Sequence, residues 1–318
     1  MARIIVLDPL AKEGLDILDK AGVAYDVRTG LKGDELRSAL TEYEGAICRS
    51  GVKITADVLA GNTTLKAIAR AGVGVDNIDL AAATELGIAV MNTPAGNTES
   101  TAELTFCHML AVSRNIPAAH QSLVEGRWDR KSLGKTSHQL SGKTLGIVGA
   151  GRVGATVGKF AQAFGMSVVA FDPFLTPERA KELGFKKVET VDEMLPEIDY
   201  LTVHTPLTPE TKDLIGDEQI AKMKDGVYLI NCARGGIYNM DALVRGLESG
   251  KLGGVAMDVY PDEPCTDSPI FKFKNAVCTP HLGASTVEAQ IAVAVEAVEI
   301  MLEYFKSGVA RNQVNRKK

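Results

Sequence analysis

Three side chains able to share one reaction follow three short apolar runs in the second half of the chain. Arg234 lies in Asn231-Cys232-Ala233-Arg234-Gly235-Gly236, Glu263 in the DVYPDEP run from Asp258 to Pro264, and His281 in Thr279-Pro280-His281-Leu282-Gly283-Ala284. A guanidinium flanked by glycines has room to hold a carboxylate through two parallel hydrogen bonds and to polarise the carbonyl beside it. An imidazole can give a proton to that carbonyl's oxygen or take it back, and a carboxylate beside the ring favours the protonated form and fixes its orientation. Singly, a loop arginine, glutamate or histidine is more often solvated. Jointly, at successive strand ends, they suit hydride transfer between a 2-hydroxy acid and its 2-keto acid.

A hydride needs a carrier, and Thr144 to Asp172 reads as its binding unit. The apolar run Leu145 to Val148 meets Gly149, Gly151 and Gly154 in G-x-G-x-x-G spacing. A helical segment, a second apolar run from Val168 to Phe171 and a lone acid, Asp172, follow. Gly149 permits a tight turn, Gly151 leaves room for a pyrophosphate, and Gly154 lets helix and strand pack closely. The phosphates then meet the free N–H groups and positive dipole end of the helix. Asp172 stands where a carboxylate accepts hydrogen bonds from the adenosine ribose. A 2′-phosphate there would face a like charge costing about 4 kcal/mol at contact distance and intermediate dielectric. With no Arg or Lys in Pro173-Phe174-Leu175, the expected cofactor is NAD and not NADP.

These residues need a scaffold of strand ends. In the first part of the chain, apolar runs at Ile4 to Leu7, Tyr25 to Val27, Ala46 to Cys48, Ala67 to Ala69 and Ile88 to Val90 alternate with helical stretches. That rhythm predicts a parallel sheet covered on both faces. After Asp172 it continues with Tyr200 to His204, Val227 to Asn231, Gly254 to Asp258 and Ala276 to Thr279. The turn from Arg70 to Asp76 is glycine-rich and able to offer backbone N–H groups to an anion. Capping-box sequences at Ser100-Thr101-Ala102-Glu103 and Ser285-Thr286-Val287-Glu288 predict the starts of two helices joining the domains. The expected fold class is α/β, with two doubly wound parallel-sheet domains. Residues 1–94 and 285–318 form a substrate-binding domain, and 95–284 a nucleotide-binding Rossmann domain inserted into it. Gln121 to Gln139, with the only tryptophan, Trp128, reads as an irregular loop, either a dimer arm or a lid.

Composition narrows the class. With 318 residues, 45% of them hydrophobic, the chain can bury two cores, and a net charge of −5 gives no sign of nucleic acid or an acidic membrane surface. The basic end Arg316-Lys317-Lys318 reads as solvated. Five scattered cysteines without C-x-x-C spacing fit a reducing cytoplasm. The chain opens on a strand, and neither a signal peptide nor a membrane span is expected. His204, before Thr205-Pro206, is expected to line the cofactor cleft. His108, His120 and His138 lack partners at ligand spacing, so no metal site is expected. Cys232 reads as a small wall residue, and the methionines as core filler.

Over essentially its whole length the sequence resembles the D-isomer-specific 2-hydroxyacid dehydrogenases. The resemblance is carried by Cys48-Arg49-Ser50, RAGVGVDNID from Arg70, MNTPAGN from Met91, GRWDRK from Gly126, LGIVGAGRVG, VHTPLTPET from Val203, NCARGG, MDVYPDEP, and PHLGAST with Glu288-Ala289-Gln290. It implies a flavodoxin-like fold for the substrate-binding domain and Arg234, Glu263 and His281 as catalytic residues. It places NAD against Arg152, Val153, Asp172, His204, Thr205, Pro206, Cys232, Arg234, Asp258, His281 and Gly283, beside the three glycines. Substrate contacts are implied for Arg49, Arg70, the backbone at Val73 and Gly74, Arg234 and His281. Arg130 is implied to reach the site of the other subunit in a homodimer or dimer of dimers. Within the family the motifs are most like those of members that oxidise 3-phospho-D-glycerate to 3-phosphohydroxypyruvate, the first step towards serine. Alternatives are reduction of hydroxypyruvate, glyoxylate or another 2-keto acid, and, from a different class, a non-enzymatic NAD(H) sensor. Two departures stand out: Ile237-Tyr238-Asn239-Met240-Asp241 replaces a more acidic run, and the chain ends soon after the returning helix. Feedback by serine through a further module is therefore not expected.

Overall fold

Strands that carry apolar side chains on both faces must be covered on both, and the chain meets this twice. The structure is a computed structural model that describes residues 2–316. One unit runs to Asn97 and resumes at Ala284, and the other is Thr98–Gly283. Of the basic end, Lys317 and Lys318 lie outside the described residues, and the Arg316 guanidinium donates to the carbonyl of Ala310 at 3.4 Å.

The first unit's strands are β1 (Ile4–Val6), β2 (Tyr25–Val27), β3 (Gly45–Cys48), β4 (Ala67–Arg70) and β5 (Ala89–Asn92). They lie in the order β2-β1-β3-β4-β5, all parallel. Side chains alternate between faces. Ile5, Ala46, Ile68 and Val90 pack with Leu36, Leu40 and Leu59 on one side. Ile4, Val6, Ile47, Ala69 and Met91 pack on the other against Val293, Ala297, Val298 and Met301 of the helix Val287–Ser307. The order is that of a flavodoxin-like doubly wound sheet, in which ligands collect at the carboxyl ends of the strands. Arg49 follows β3 there, and Arg70 ends β4, whose last residue pairs with Cys48.

The second unit contains β6 (Thr144–Val148), β7 (Ser167–Phe171), β8 (Lys186–Lys187), β9 (Tyr200–Val203), β10 (Val227–Asn231), β11 (Leu252–Met257) and β12 (Ala276–Cys278). The order is β12-β11-β10-β9-β6-β7-β8, again parallel. Counted from β6 this is the Rossmann order with one further strand at the edge. The chain reverses direction between β6 and β9, so the glycine loop and His204 flank the switch point where a dinucleotide binds.

Three local expectations change. The helix expected from Ser100 spans Thr98–Ser113, so Ser100 lies inside it and its hydroxyl donates to the carbonyl of Gly283 at 2.8 Å. The tertiary acceptor replaces the local cap. At the second capping sequence the cap is Thr286, one residue later than the pattern suggests, with its side chain accepting from the N–H of Ala289. The stretch from Gln121 to Gln139 is only partly irregular: it takes in the end of the helix Ile116–Val124 and a short helix, Arg130–Gly134. Periodicity hid these because Ile116, Leu123, Val124 and Trp128 are exposed, the last at 76%, so the apolar residues of this stretch form no buried stripe.

Candidate active site

The glycine loop is shaped by contacts that a side chain would break. Gly149 follows β6 at φ 92° and gives its N–H to the carbonyl of Phe171 at 2.8 Å, and a Cβ on it would stand 2.7 Å from the carbonyl oxygen of His204. Only glycine adopts that turn without strain. A Cβ on Gly154 would collide with the carbonyl oxygen of Gly149, so helix Arg152–Ala163 can approach β6 only with glycine there. A Cβ on Gly151 meets nothing within 4 Å. That open space lies at the start of the helix, where Arg152 and Val153 occupy the first turn with its unsatisfied N–H groups.

At the far end of the loop, Asp172 accepts from the N–H of Ala150 at 2.8 Å and that of Phe174 at 2.7 Å. A carboxylate has about four lone-pair sites, so its two oxygens retain acceptor capacity for ribose hydroxyls. After β9, the Oγ1 of Thr205 is buried without a hydrogen-bond partner among the described residues. A buried hydroxyl in that state is costly unless a bound group satisfies it. The open face at Gly151, the orphaned Thr205 hydroxyl and the acid at the end of β7 all fit a dinucleotide. His204 has its Nε2 3.1 Å from Thr202 Oγ1, and burial pushes its pKa down to about 3. It is a neutral ring at this end of the sheet and no proton donor near neutrality.

The three side chains expected to react sit on the loops after β10, β11 and β12. The Arg234 loop is braced by Asn231, whose Nδ2 donates to the carbonyl of Arg234 at 2.8 Å and whose Oδ1 accepts from Ala233 N–H at 2.9 Å. Arg234 Nη1 reaches the carbonyl of Ala233 at 2.6 Å. A Cβ on Gly235 would overlap the backbone of Tyr260, so this glycine lets the loop bearing Glu263 pack against the loop bearing Arg234. Glu263 Oε1 accepts the N–H of Tyr260 at 3.0 Å, and its Oε2 lies 2.6 Å from Nδ1 of His281. The carboxylate is thus held from behind and aligns the ring, leaving Nε2 for chemistry. The His281 side chain is about half exposed, open to a substrate.

His281 has φ 54°, a left-handed conformation uncommon for a residue with a side chain. Its N–H donates to the carbonyl of Asp258 at 2.8 Å. Asp258 is fully buried, and its carboxylate accepts from Thr279 Oγ1 and from the N–H groups of Leu282 and Gly283. Expected beside the cofactor, Asp258 is also the anchor of the histidine loop. Ser100 and Thr101 hold the same loop from the helix Thr98–Ser113 through the carbonyl of Gly283. Sequence reading missed this bracing. The Cys232 sulfur points inward, 3.5 Å from Nδ1 of His108, and burial pushes its thiol well above the ordinary range, so it is no nucleophile.

The remaining expected contacts are placed as follows. In the first unit Arg49 gives its N–H to Asp8 Oδ2 at 2.6 Å, and Arg70 Nη1 lies 3.3 Å from the carbonyl of Ala71. In the turn after Arg70, the N–H of Gly72 donates to Thr93 Oγ1 at 2.6 Å and the carbonyl of Val73 accepts from Asn92 Nδ2 at 2.6 Å, which shapes the approach to Gly74. In the second unit Arg130 opens the helix Arg130–Gly134, and Pro206 follows Thr205 in the loop after β9. Among the described residues no group of three or more His, Cys, Asp or Glu is arranged to hold a metal ion. Among the described residues no helix is long and apolar enough to cross a membrane.

Comparison with known proteins gives the same picture of the second unit. Residues 106–283 match the family model described as D-isomer specific 2-hydroxyacid dehydrogenase, NAD binding domain. The chain is 44% identical over 315 residues to a protein named D-3-phosphoglycerate dehydrogenase from Methanocaldococcus jannaschii, covering 99% of this chain and 60% of that one. With the Bacillus subtilis protein of the same name the identity is 44%, covering 99% and 59%. The chain thus spans about three fifths of the length of the curated relatives it matches. Among solved structures, NAD-bound 3-phosphoglycerate dehydrogenase from Entamoeba histolytica superposes with a TM-score of 0.83 at 31% identity, covering 100% of this chain and 99% of that one. D-Lactate dehydrogenase from Aquifex aeolicus, complexed with NAD and lactic acid, gives 0.85 at 28%, covering 99% and 100%.

Proposed function

The chain belongs to the D-isomer specific 2-hydroxyacid dehydrogenase family, and from that premise we propose that it oxidises 3-phospho-D-glycerate to 3-phosphohydroxypyruvate with NAD. The observation that carries the chemistry is the 2.6 Å contact between Glu263 and Nδ1 of His281, on the loop next to that of Arg234. Arg234 holds the substrate carboxylate and polarises the adjacent C–O group. Nε2 of His281 takes the hydroxyl proton in the oxidation and returns it in the reduction, while Glu263 keeps the ring oriented through either protonation state. NAD bound at the glycine loop would supply the acceptor for the hydride that leaves the substrate's C2.

We assign residues 1–94 and 285–318 to substrate binding and 95–284 to the cofactor. The turn at Gly149 and Gly151 and the first helical turn at Arg152 and Val153 hold the pyrophosphate, Gly154 lets that helix pack on β6, and Asp172 holds the ribose. Arg49 and Arg70, at the ends of adjacent strands, together with the backbone at Val73 and Gly74, hold the phosphate. Charge-assisted hydrogen bonds are worth about 1.5 to 3 kcal/mol each, so two of them favour a phosphorylated substrate by about a hundredfold or more. A homodimer or dimer of dimers is supported by the exposed apolar residues Ile116, Leu123, Val124 and Trp128. In it Arg130 reaches the site of the second copy. The net charge and the scattered free cysteines favour the cytoplasm.

The deciding experiment compares kcat/KM for 3-phosphohydroxypyruvate and for hydroxypyruvate with NADH. A preference of about a hundredfold for the phosphorylated compound is expected. Equal rates would keep the dehydrogenase and remove the phosphate from the arginines, and no turnover of either would move the reading to another 2-keto acid.

A further inference from the structure

Helix Thr98–Ser113 and the loop Thr279–Gly283 are linked by a run of polar contacts that the proposed chemistry does not use. Asp258 Oδ1 accepts from the Thr279 hydroxyl at 2.6 Å and from Leu282 N–H at 2.7 Å, and its Oδ2 accepts from Gly283 N–H at 2.8 Å. Behind Thr279, Nε2 of the buried His108 lies 3.0 Å from the same hydroxyl oxygen, and Nδ1 lies 3.5 Å from Cys232 Sγ. The hydroxyl has one proton and gives it to Asp258, so its oxygen must accept from His108. Nε2 therefore carries hydrogen, and the lone pair on Nδ1 faces the thiol. Burial lowers the pKa of this imidazole, which keeps the ring neutral and this tautomer in place.

We infer that His108 is a positioning residue for His281, acting through Thr279 and Asp258. The φ of 54° at His281 is sparsely populated for a residue with a side chain, and such a conformation persists only where its surroundings over-determine it. Asp258 supplies that constraint by gripping the turn at Leu282 and Gly283. A donor to the Thr279 oxygen fixes the rotation of that hydroxyl and strengthens its bond to Asp258. His108 is that donor. Without it the bond to Asp258 weakens and the hydroxyl's rotation is less constrained, the grip of Asp258 loosens, and His281 loses its alignment with Glu263. The inference rests on His281 being the acid–base group.

The test uses the full chain with His108→Met, His108→Gln, Thr279→Val and the double variant His108→Met/Thr279→Val. Glutamine replaces the Nε2–H donor and methionine does not. His108→Met is expected to lower kcat about tenfold while the keto-acid KM and the NADH Kd, read by fluorescence, stay within about twofold. Amide exchange at residues 281–283 should accelerate. His108→Gln should recover most of the lost rate, and His108→Met should cost little once Thr279→Val is present, because both cut one connection. Retention of wild-type kcat and exchange in His108→Met overturns the inference. So does an equal loss in the Met and Gln variants with exchange unchanged, which would assign the effect to packing. If His108→Met does not fold, Thr279→Val against Thr279→Ser decides by the same readouts. Should the wild-type protein reduce no keto acid, the acid–base reading fails by itself, and the exchange rates still judge the coupling.

Discussion

At the scale of single residues, the site is an imidazole aimed by a carboxylate that is itself held. Glu263 is fixed through Oε1 by the N–H of Tyr260, so Oε2 meets Nδ1 of His281 at a set angle and Nε2 is the atom left to exchange a proton. His281→Ala is expected to lower kcat by about 10²–10⁴-fold with NADH binding unchanged. Steady-state kinetics beside a fluorescence titration checks this, and turnover within about tenfold of wild type would remove His281 from the reaction. The residues proposed to react could be singled out in the chain because each follows an apolar run, with flanking residues that suit the proposed task. The sequence pointed to Asp258 as a cofactor contact and did not reveal it as the anchor of Leu282 and Gly283, since that role is made by contacts across 24 and 25 positions.

At the scale of elements, the glycine loop separates binding from folding. Gly151 faces open space and Gly154 faces the backbone of Gly149. Gly151→Ala should therefore fold with a melting temperature close to wild type and lose NADH affinity. Gly154→Ala should lower the melting temperature markedly, because the helix must move away from β6. Thermal melts paired with NADH titrations distinguish the two, and identical behaviour in both would contradict the division of roles. The spacing of the three glycines already implied this division. The helix Thr98–Ser113 was different, because its hydroxyls at Ser100 and Thr101 looked like a local cap and serve the carbonyl of Gly283 instead.

At the scale of the whole molecule, acid stability and assembly can both be predicted. His204 titrates at about 3 in the folded protein, and His108 is also lowered, each chiefly by burial. Unfolded, both rings take up a proton near pH 6.5. Below that value the unfolded chain binds more protons than the folded one, so stability falls with pH from about 6.5 towards 3 by up to about 1.4 kcal/mol per pH unit for His204, and His108 adds to the fall in the same direction. Urea melts between pH 7 and 4 should show this, with a shallower decline in His204→Gln; equal slopes would mean that His204 does not titrate as described. For assembly, mixing an Arg130→Ala variant with a His281→Ala variant should restore part of the activity once subunits exchange, and no recovery despite proven exchange would place Arg130 outside the other copy's site. By itself the sequence determined what is encoded over short spans: alternating strands and helices, the parallel sheets they require, the fingerprint from Gly149 to Asp172, and the types of Arg234, Glu263 and His281. Tertiary structure alone decided which partner each polar group takes. His108 meets Thr279 across 171 residues and Ser100 meets Gly283 across 183. Periodicity and turn chemistry act between neighbours in the chain, whereas a buried hydrogen bond depends on where two distant segments come to rest.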